Sequence, residues 1–329
     1  MRPRRTRGQT KRGAQSRSML CACSRAGPPP KGPRASAIRA AQCRAISARR
    51  WGCGSPRSVS VRTVVDTAIN YRNQRSERAV AVALRESGVP REQVVLCTKG
   101  GYLPFDLKRP HDMHAYIEET WIRPGVLKPE ELVDGCHSLA PRFLDDQIER
   151  SRRNLAVECI DLYYLHNPET QLGEVPRPEF QRRLRAAFES LERACTDGRI
   201  AAYGLATWNG FRLEPDDAGG TSNHFRAVQL PFNIEMDEAA IFPNQGGKTL
   251  IEAAREADVA VFASASVLQG RLTQKLPQPV RDQLAGLSTD AQRALQFARS
   301  AVTCALVGMK TAAHVEQNAA LSRVPPLRQ

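Results

Sequence analysis

Ile160-Asp161-Leu162-Tyr163-Tyr164-Leu165-His166 is a short run, almost wholly apolar and aromatic, that ends on an imidazole. It is too short for a helix of ordinary length, and it lacks the alternation of a strand with one face in water. It reads as a strand of a parallel sheet, buried on both faces. The pattern recurs on either side: Arg62–Asp66 (RTVVD), Val94–Lys99 (VVLCTK), Ala202–Thr207 (AYGLAT), Ala227–Phe232 (AVQLPF), Val259–Ser264 (VAVFAS) and Ala305–Met309 (ALVGM). Helical patterns separate these runs. Glu77–Arg85 stops at Gly88, and Phe143–Leu155 lines up Phe143, Gln147, Ile148, Ser151 and Leu155. Phe180–Cys195 spaces Leu184, Phe188 and Leu191 and stops at Gly198; Leu250–Ala257 and Ala291–Ala301 complete the set.

Strands alternating with helices imply a parallel sheet. The expected fold is α/β, a (β/α)8 barrel of the TIM type over residues 61–325, with seven strands visible and one unaccounted for. A missing or irregular first β/α unit would fall before Arg62, where Trp51-Gly52-Cys53-Gly54 is a poor candidate. The stretch from Asn209 to Phe225 is also short and polar for a crossover helix. No apolar run approaches ~18 residues, so no membrane-spanning helix is expected.

The formal charge of +14 would suggest a nucleic-acid partner if it were spread over the chain. It is not. Residues 1–65 hold 14 Arg, 2 Lys and no acidic residue, whereas the rest, with 32 basic and 34 acidic residues, is nearly neutral. Residues 1–60 are rich in Arg, Ser, Ala, Gly and Pro and have little to bury, so a disordered extension is expected. Arg- and Ser-rich, acid-free N-termini fit a mitochondrial or chloroplast transit peptide; otherwise the protein would be cytoplasmic. An incorrectly assigned start or exon, and a basic arm touching nucleic acid, are the competing readings. The absence of aromatic residues among the arginines before Trp51 argues against the last. The nine cysteines form no CxxC, which suits reduced thiols rather than a disulfide framework.

Chemistry gathers at the strand ends. Asp66, Lys99 and His166 each close a strand, and Gln229 lies near the end of another. In a (β/α) barrel the C-terminal ends share one face, where active sites are built. Tyr71 lies five residues past Asp66, on the loop above that face. The set suits carbonyl reduction. Hydride addition leaves an alkoxide that needs a proton, and a phenol, with an ordinary pKa of about 10, can give it if a nearby ammonium favours the phenolate. Lys99 would supply that ammonium, Asp66 would hold it charged, and His166 would orient the carbonyl. His111 and His114 lie three apart, with His137 further on, and lack a third ligand at motif spacing, so no metal is expected. The insertion Gly101–Ala140, with Tyr102, Phe105, Tyr116 and Trp121, is expected to form a substrate pocket wall or lid.

Several of these segments are similar to motifs of the aldo/keto reductase family. Val65-Asp66-Thr67-Ala68-Ile69-Asn70-Tyr71 resembles its DTAxxY signature, followed by Glu77. Val95-Leu96-Cys97-Thr98-Lys99 resembles the strand ending in the active-site lysine, Asp161–His166 the DLYLxH motif, and Gly198–Gly204 the G-K/R-I-R-x-x-G run. The likeness covers about residues 62–322. It implies NADPH, in preference to NADH, with a small-molecule aldehyde or ketone as substrate. Tyr71 would be the proton donor, Lys99 and Asp66 its tuning pair and His166 the orienting group. For the cofactor it implies Gln229 at the carboxamide, and Lys310, Gln317 and Asn318 in the adenosine-phosphate motif that begins at Gly308. Two positions depart from the family pattern: its Ser-Asn pair is Ala206-Thr207 here, and its stacking aromatic is Ser264. These departures keep a second reading open, a nucleotide-binding barrel of weak or no activity that senses or scaffolds. Oligomeric state is not legible.

Overall fold

The computed structural model describes residues 43–44, 63–212 and 223–327. The rest of the 1–60 extension, including Trp51–Gly54, and the middle of the 209–225 crossover lie outside the described residues. Eight strands form one sheet in sequence order: β1 Cys43–Arg44, β2 Thr63–Asp66, β3 Val94–Gly100, β4 Leu162–His166, β5 Tyr203–Ala206, β6 Phe225–Pro231, β7 Ala260–Ser264 and β8 Cys304–Ala305. From β2 to β8 every pairing is parallel, so the seven strands read from the sequence are all present. The helices named here are α1 Arg75–Ser87, α2 Pro141–Leu155, α3 Arg177–Thr196, α4 Leu250–Glu256, α5 Asp290–Ala301 and α6 Ala312–Ala320.

The expected eighth parallel strand is not found among the described residues. The two-residue β1 precedes Arg62, but it pairs antiparallel with β2. No described pairing joins β8 to β1 or β2, so among the described residues the parallel sheet curls without closing. β8 is only two residues long, against the five read from the sequence, and a short edge offers little unpaired backbone to a neighbouring chain.

Side-chain parity sorts the strands into two layers. Val65, Leu96, Tyr163, Leu165 and Tyr203 face outward and pack under α2 and α3 with Leu144, Ile148 and Leu191. Val64, Val95, Cys97, Leu162, Tyr164, Ala206, Ala227 and Phe262 face inward and fill the curl. A strand's period of two carries this inward parity on to Asp66, Lys99, His166 and Gln229, so a common face for the four follows from the ladder. Gly204 is required by the β5–β6 approach: a Cβ there would sit 2.1 Å from the Ala227 carbonyl oxygen, beside a register shift at Tyr203/Gly204.

Helix termini follow local chemistry. Gly88 ends α1 at φ 65°. Thr249 with Glu252, and Thr289 with Gln292, form capping boxes on α4 and α5. The 101–140 insertion builds a small core of its own, in which Leu103, Trp121 and Leu127 pack on Phe143 at the start of α2.

Candidate active site

Asp66 ends β2, and Lys99 is the penultimate residue of the adjacent β3. The Lys99 Nζ donates to Asp66 Oδ2 at 2.6 Å and to the Thr67 carbonyl at 2.8 Å. Lys99 is 1% exposed and Asp66 16%. Burial, the largest single effect, disfavours the ammonium, but the charge of Asp66, the neighbouring Tyr71 oxygen and the hydrogen bond to Asp66 together outweigh it and hold Lys99 above the ordinary lysine value of 10.5. Lys99 is therefore an ammonium throughout the neutral range. Gln229 donates to the other Asp66 oxygen at 2.9 Å, which ties β6 to β2 across the curl.

Tyr71 lies over this pair. Two backbone bonds beyond the strand, Thr67 N to Cys97 O at 3.0 Å and Ile69 N to Lys99 O at 3.2 Å, carry the chain on past β2, and Tyr71 N turns back to Ala68 O. Arg72, Asn73 and Gln74 then take left-handed conformations (φ 52°, 55° and 65°) before α1 begins. Three successive non-glycine residues in this region are costly, and such strain persists only where the surroundings enforce it. Gln74 is the anchor: it is buried, donates to the Phe105 carbonyl at 3.2 Å and accepts from Asn154 at 2.9 Å. The turn leaves the Tyr71 ring 5.2 Å from the Lys99 Nζ and 5.7 Å, edge to face, from the His166 ring.

His166 ends β4 opposite Ala206, which itself stands opposite Gln229. His166 is half-buried as a residue, and its Nδ1 is buried and has no hydrogen-bond partner among the described residues. Burial, then the Lys99 charge, then His137 push His166 well below the ordinary histidine range, so the ring is neutral. Asp66, Tyr71, Lys99, His166 and Gln229 are thus brought into one cluster, as the spacing predicts.

The other residues singled out in the sequence are placed differently. The Thr207 hydroxyl accepts from Gly210 N at 2.6 Å, so it caps a turn. The Trp208 and Asn209 amides that follow donate to Glu169 at 2.7 and 3.1 Å. Ser264 ends β7 opposite Pro231. Lys310 is exposed just ahead of α6, which carries Gln317 and Asn318 and is capped by Thr311. Glu77 is fully buried, where it accepts from Thr98 at 2.6 Å and Asn154 at 2.9 Å. Burial pushes its carboxyl above the ordinary range against those bonds.

Two residues at this face, Gln147 and His137, escaped the sequence reading, and a third, Tyr102, belongs to the insertion expected to wall a pocket. Gln147, fully buried on α2, clamps the end of β3 by accepting from Gly101 N and donating to Tyr102 O, both at 2.7 Å. A glutamine in the buried helical stripe, which Ser151 alone among its other members shares as a polar residue, was the available signal. Tyr102 sets its ring 5.1 Å from that of His166 and its hydroxyl 3.0 Å from Thr170. His137, unremarkable by spacing, reaches the His166 carbonyl.

Comparison with known proteins places this geometry. The aldo/keto reductase family model matches residues 58–329. Aldo-keto reductase YhdN of Bacillus subtilis (strain 168) is 22% identical over 244 residues, covering 71% of this chain and 59% of that protein. D-threo-aldose 1-dehydrogenase of a Pseudomonas species is 28% identical over 144 residues, 43% of this chain and 39% of that one. The chain therefore spans about half the length of these relatives. Among solved structures, aldo-keto reductase AKR11C1 from Bacillus halodurans (holo form) superposes with a TM-score of 0.54 at 19% identity, covering 80% of this chain and 78% of that one. An aldo/keto reductase from Klebsiella pneumoniae in complex with NADP and acetate gives 0.53 at 20% identity, with 79% and 75% covered. At such identities the structures speak for the fold alone, whereas the family model spans most of the sequence: the chain belongs to the aldo/keto reductase family.

Proposed function

We propose that this protein reduces a small aldehyde or ketone to an alcohol with NADPH, and that Tyr71, Lys99, Asp66 and His166 do the chemistry. The observation that carries this reading is the buried Lys99–Asp66 ion pair lying under the Tyr71 ring and beside the neutral ring of His166.

The residues present fit a nicotinamide nucleotide by the chemistry of their donors. Gln229 carries a primary amide at the mouth, able to pair with another amide. Lys310 is an exposed cation ahead of the capped N-terminus of α6, a combination suited to a phosphate. The relatives' names are in keeping with this choice, since one of the similar structures is a complex with NADP. When bound, the reduced nicotinamide supplies a hydride to the carbonyl carbon. Everything else falls to this chain. Tyr71 gives its phenolic proton to the oxygen on which negative charge develops. The Lys99 ammonium lowers the cost of the phenolate left behind. Asp66 keeps that ammonium charged and fixed, and Gln229 restrains Asp66. His166, neutral, donates a hydrogen bond to the carbonyl oxygen and sets its approach. The half-buried Tyr102 forms an aromatic wall beside it.

Tyr71→Phe tests the assignment. Reduction of 4-nitrobenzaldehyde should fall by roughly 10²-fold or more, the scale of a lost general acid, while NADPH affinity, read by quenching of protein fluorescence, stays within about twofold. Activity retained at a substantial fraction removes Tyr71 from the role.

One observation favours a second reading, a nucleotide sensor or scaffold of weak activity: the Thr207 hydroxyl is committed to its own turn, where the family pattern has a polar pair. NADPH binding without aldehyde-dependent oxidation in the unaltered protein would select that reading.

A further inference from the structure

His166 is held from behind by a chain of hydrogen bonds that, from Arg183 on, runs in one direction. Glu179 on α3 accepts from Arg183 Nε at 2.8 Å. Arg183 Nη1 donates to Gln171 Oε1 at 2.8 Å, and Nη2 donates to the Glu130 carbonyl at 3.1 Å. With its oxygen engaged, the Gln171 amide turns Nε2 toward His137 Nδ1 at 3.0 Å. An amide nitrogen only donates, so Nδ1 accepts and the ring proton resides on Nε2. That N–H donates to the His166 carbonyl at 2.9 Å. His137 and Gln171 are both fully buried.

The neighbourhood is built around this contact. Gly101 takes φ +126°, and a Cβ there would sit 2.8 Å from His137 Nε2 and 3.4 Å from the His166 oxygen. Only a glycine lets the ring come so close. The Tyr102 ring lies edge to face against both imidazoles, at 4.8 and 5.1 Å. Burial pushes His137 down to about 4, so at neutral pH it has no second proton to upset the arrangement.

We infer that His137 is a positioning residue whose Nε2–H, aimed by Gln171, pins the backbone at the end of β4 and thereby holds the His166 imidazole at the mouth. Its kinetic consequence rests on the reductase reading; the geometric claim does not. A misplacement of about 1 Å in a group that orients a reacting atom can cost on the order of 10²-fold in rate.

The test uses the full-length protein with 15N-labelled histidine, as wild type, His137→Leu and His137→Gln. Long-range 1H–15N spectra of the wild type at pH 7 should contain one neutral, Nε2-protonated ring signal that disappears in both variants. The His166 ring signals should move in His137→Leu, which has no donor, and return in His137→Gln, whose amide can donate to the same carbonyl. With NADPH and 4-nitrobenzaldehyde, kcat should fall about 10- to 100-fold in His137→Leu, while KM for both substrates stays within about threefold. His137→Gln should recover most of it. If His137→Leu does not fold by circular dichroism, Gln171→Met serves as the second variant and should move the His166 signals the same way. An Nδ1-protonated or charged His137, unmoved His166 signals in a folded variant, or an unchanged kcat overturns the inference. If the wild type reduces no aldehyde, the reductase reading fails, and the His166 signals alone decide the positioning role.

Discussion

Replacing Asp66 with Asn separates the charge of the buried pair from its shape. At 2.6 Å and an effective dielectric near 20, the attraction between Lys99 and Asp66 is ~6 kcal/mol. Most of that offsets the desolvation of an ammonium that is 1% exposed, so the pair's net worth is far smaller. Removing one partner does not merely lose this net worth; it leaves the other charge uncompensated, which costs about 3–5 kcal/mol for a fully buried group. In Asp66→Asn the amide oxygen still accepts, and the Thr67 carbonyl remains, so the lower end, about 3 kcal/mol, is expected. The converse change is milder. In Lys99→Met the carboxylate keeps the Gln229 donor and its 16% exposure to water, and methionine fills a similar volume, so roughly 1–2 kcal/mol is expected.

The order of the two variants is thus the informative quantity: Asp66→Asn should be the less stable. Urea unfolding at pH 7 without nucleotide measures both, and for a domain of this size each kcal/mol corresponds to about 2–4 °C in Tm. The difference should also depend on pH. Lys99 is held above 10.5 in the fold, so its contribution is complete below that value and is lost as pH rises through the folded value. In Asp66→Asn the lysine sheds its proton earlier and the penalty relaxes, so the gap to wild type should narrow in alkali. If Lys99→Met proves the less stable, or both variants lie within about 0.5 kcal/mol of wild type, the account of a desolvated ammonium kept charged by Asp66 is wrong.

Other consequences are open to measurement. His137 is neutral in the fold down to about 4, whereas an unfolded histidine takes up its proton near 6.5; stability should therefore fall as pH drops from 6.5 to 4, by about 3 kcal/mol from this residue, with His166 adding in the same direction. A urea midpoint unchanged between pH 7 and 4.5 would contradict this. Gly204→Ala should cost about 1–3 kcal/mol through the clash with the Ala227 carbonyl, seen as a lower Tm; an unchanged Tm would mean that β6 can retreat. The Tyr164 hydroxyl is buried without a partner among the described residues, so Tyr164→Phe should raise the unfolding free energy by about 1 kcal/mol, and a loss would reveal a partner.

What could be read from the sequence was what periodicity controls. Asp66, Lys99, His166 and Gln229 were legible because a period of two, continued from Val64, Val95, Tyr164 and Ala227, leaves their side chains no face but the interior. Gln147 kept the helical spacing of its stripe, which hid that it serves the backbone of Gly101 and Tyr102. The turn at Arg72–Gln74 contains no glycine to betray its left-handed backbone; it is held by Gln74 bonding to Phe105 and Asn154, both remote in sequence. His137 lies on an irregular stretch of the insertion and Gln171 in the short 3-10 helix Pro168–Gly173, and their meeting depends on the path of the insertion, which no short-range pattern encodes. The transit-peptide expectation falls outside the described residues.

The open sheet bears unequally on the two halves of the proposed site. Asp66, Lys99 and His166 sit on β2, β3 and β4, joined by continuous parallel registers, with Tyr71 on the turn beyond β2, and Gln229 on β6 closes the group with a side-chain bond back to Asp66. β3, β4 and β6 are each paired in parallel on both sides, whereas β2 has the two-residue, antiparallel β1 on its outer side. The residues proposed for the nucleotide lie toward the other edge: Ser264 ends β7, whose outer partner is a two-residue strand, and Lys310, Gln317 and Asn318 follow that strand. Closure would have braced that edge. Without it among the described residues, α6 is tied back chiefly by contacts with α5 such as Gln292 to the Gln317 carbonyl at 2.8 Å. Local stability follows the density of such ties. An incomplete barrel of this kind can therefore keep the geometry of proton delivery while loosening the grip on the adenosine end of a nucleotide; the departure at Ser264 falls on that side of the sheet, whereas Thr207 follows β5, between His166 on β4 and Gln229 on β6.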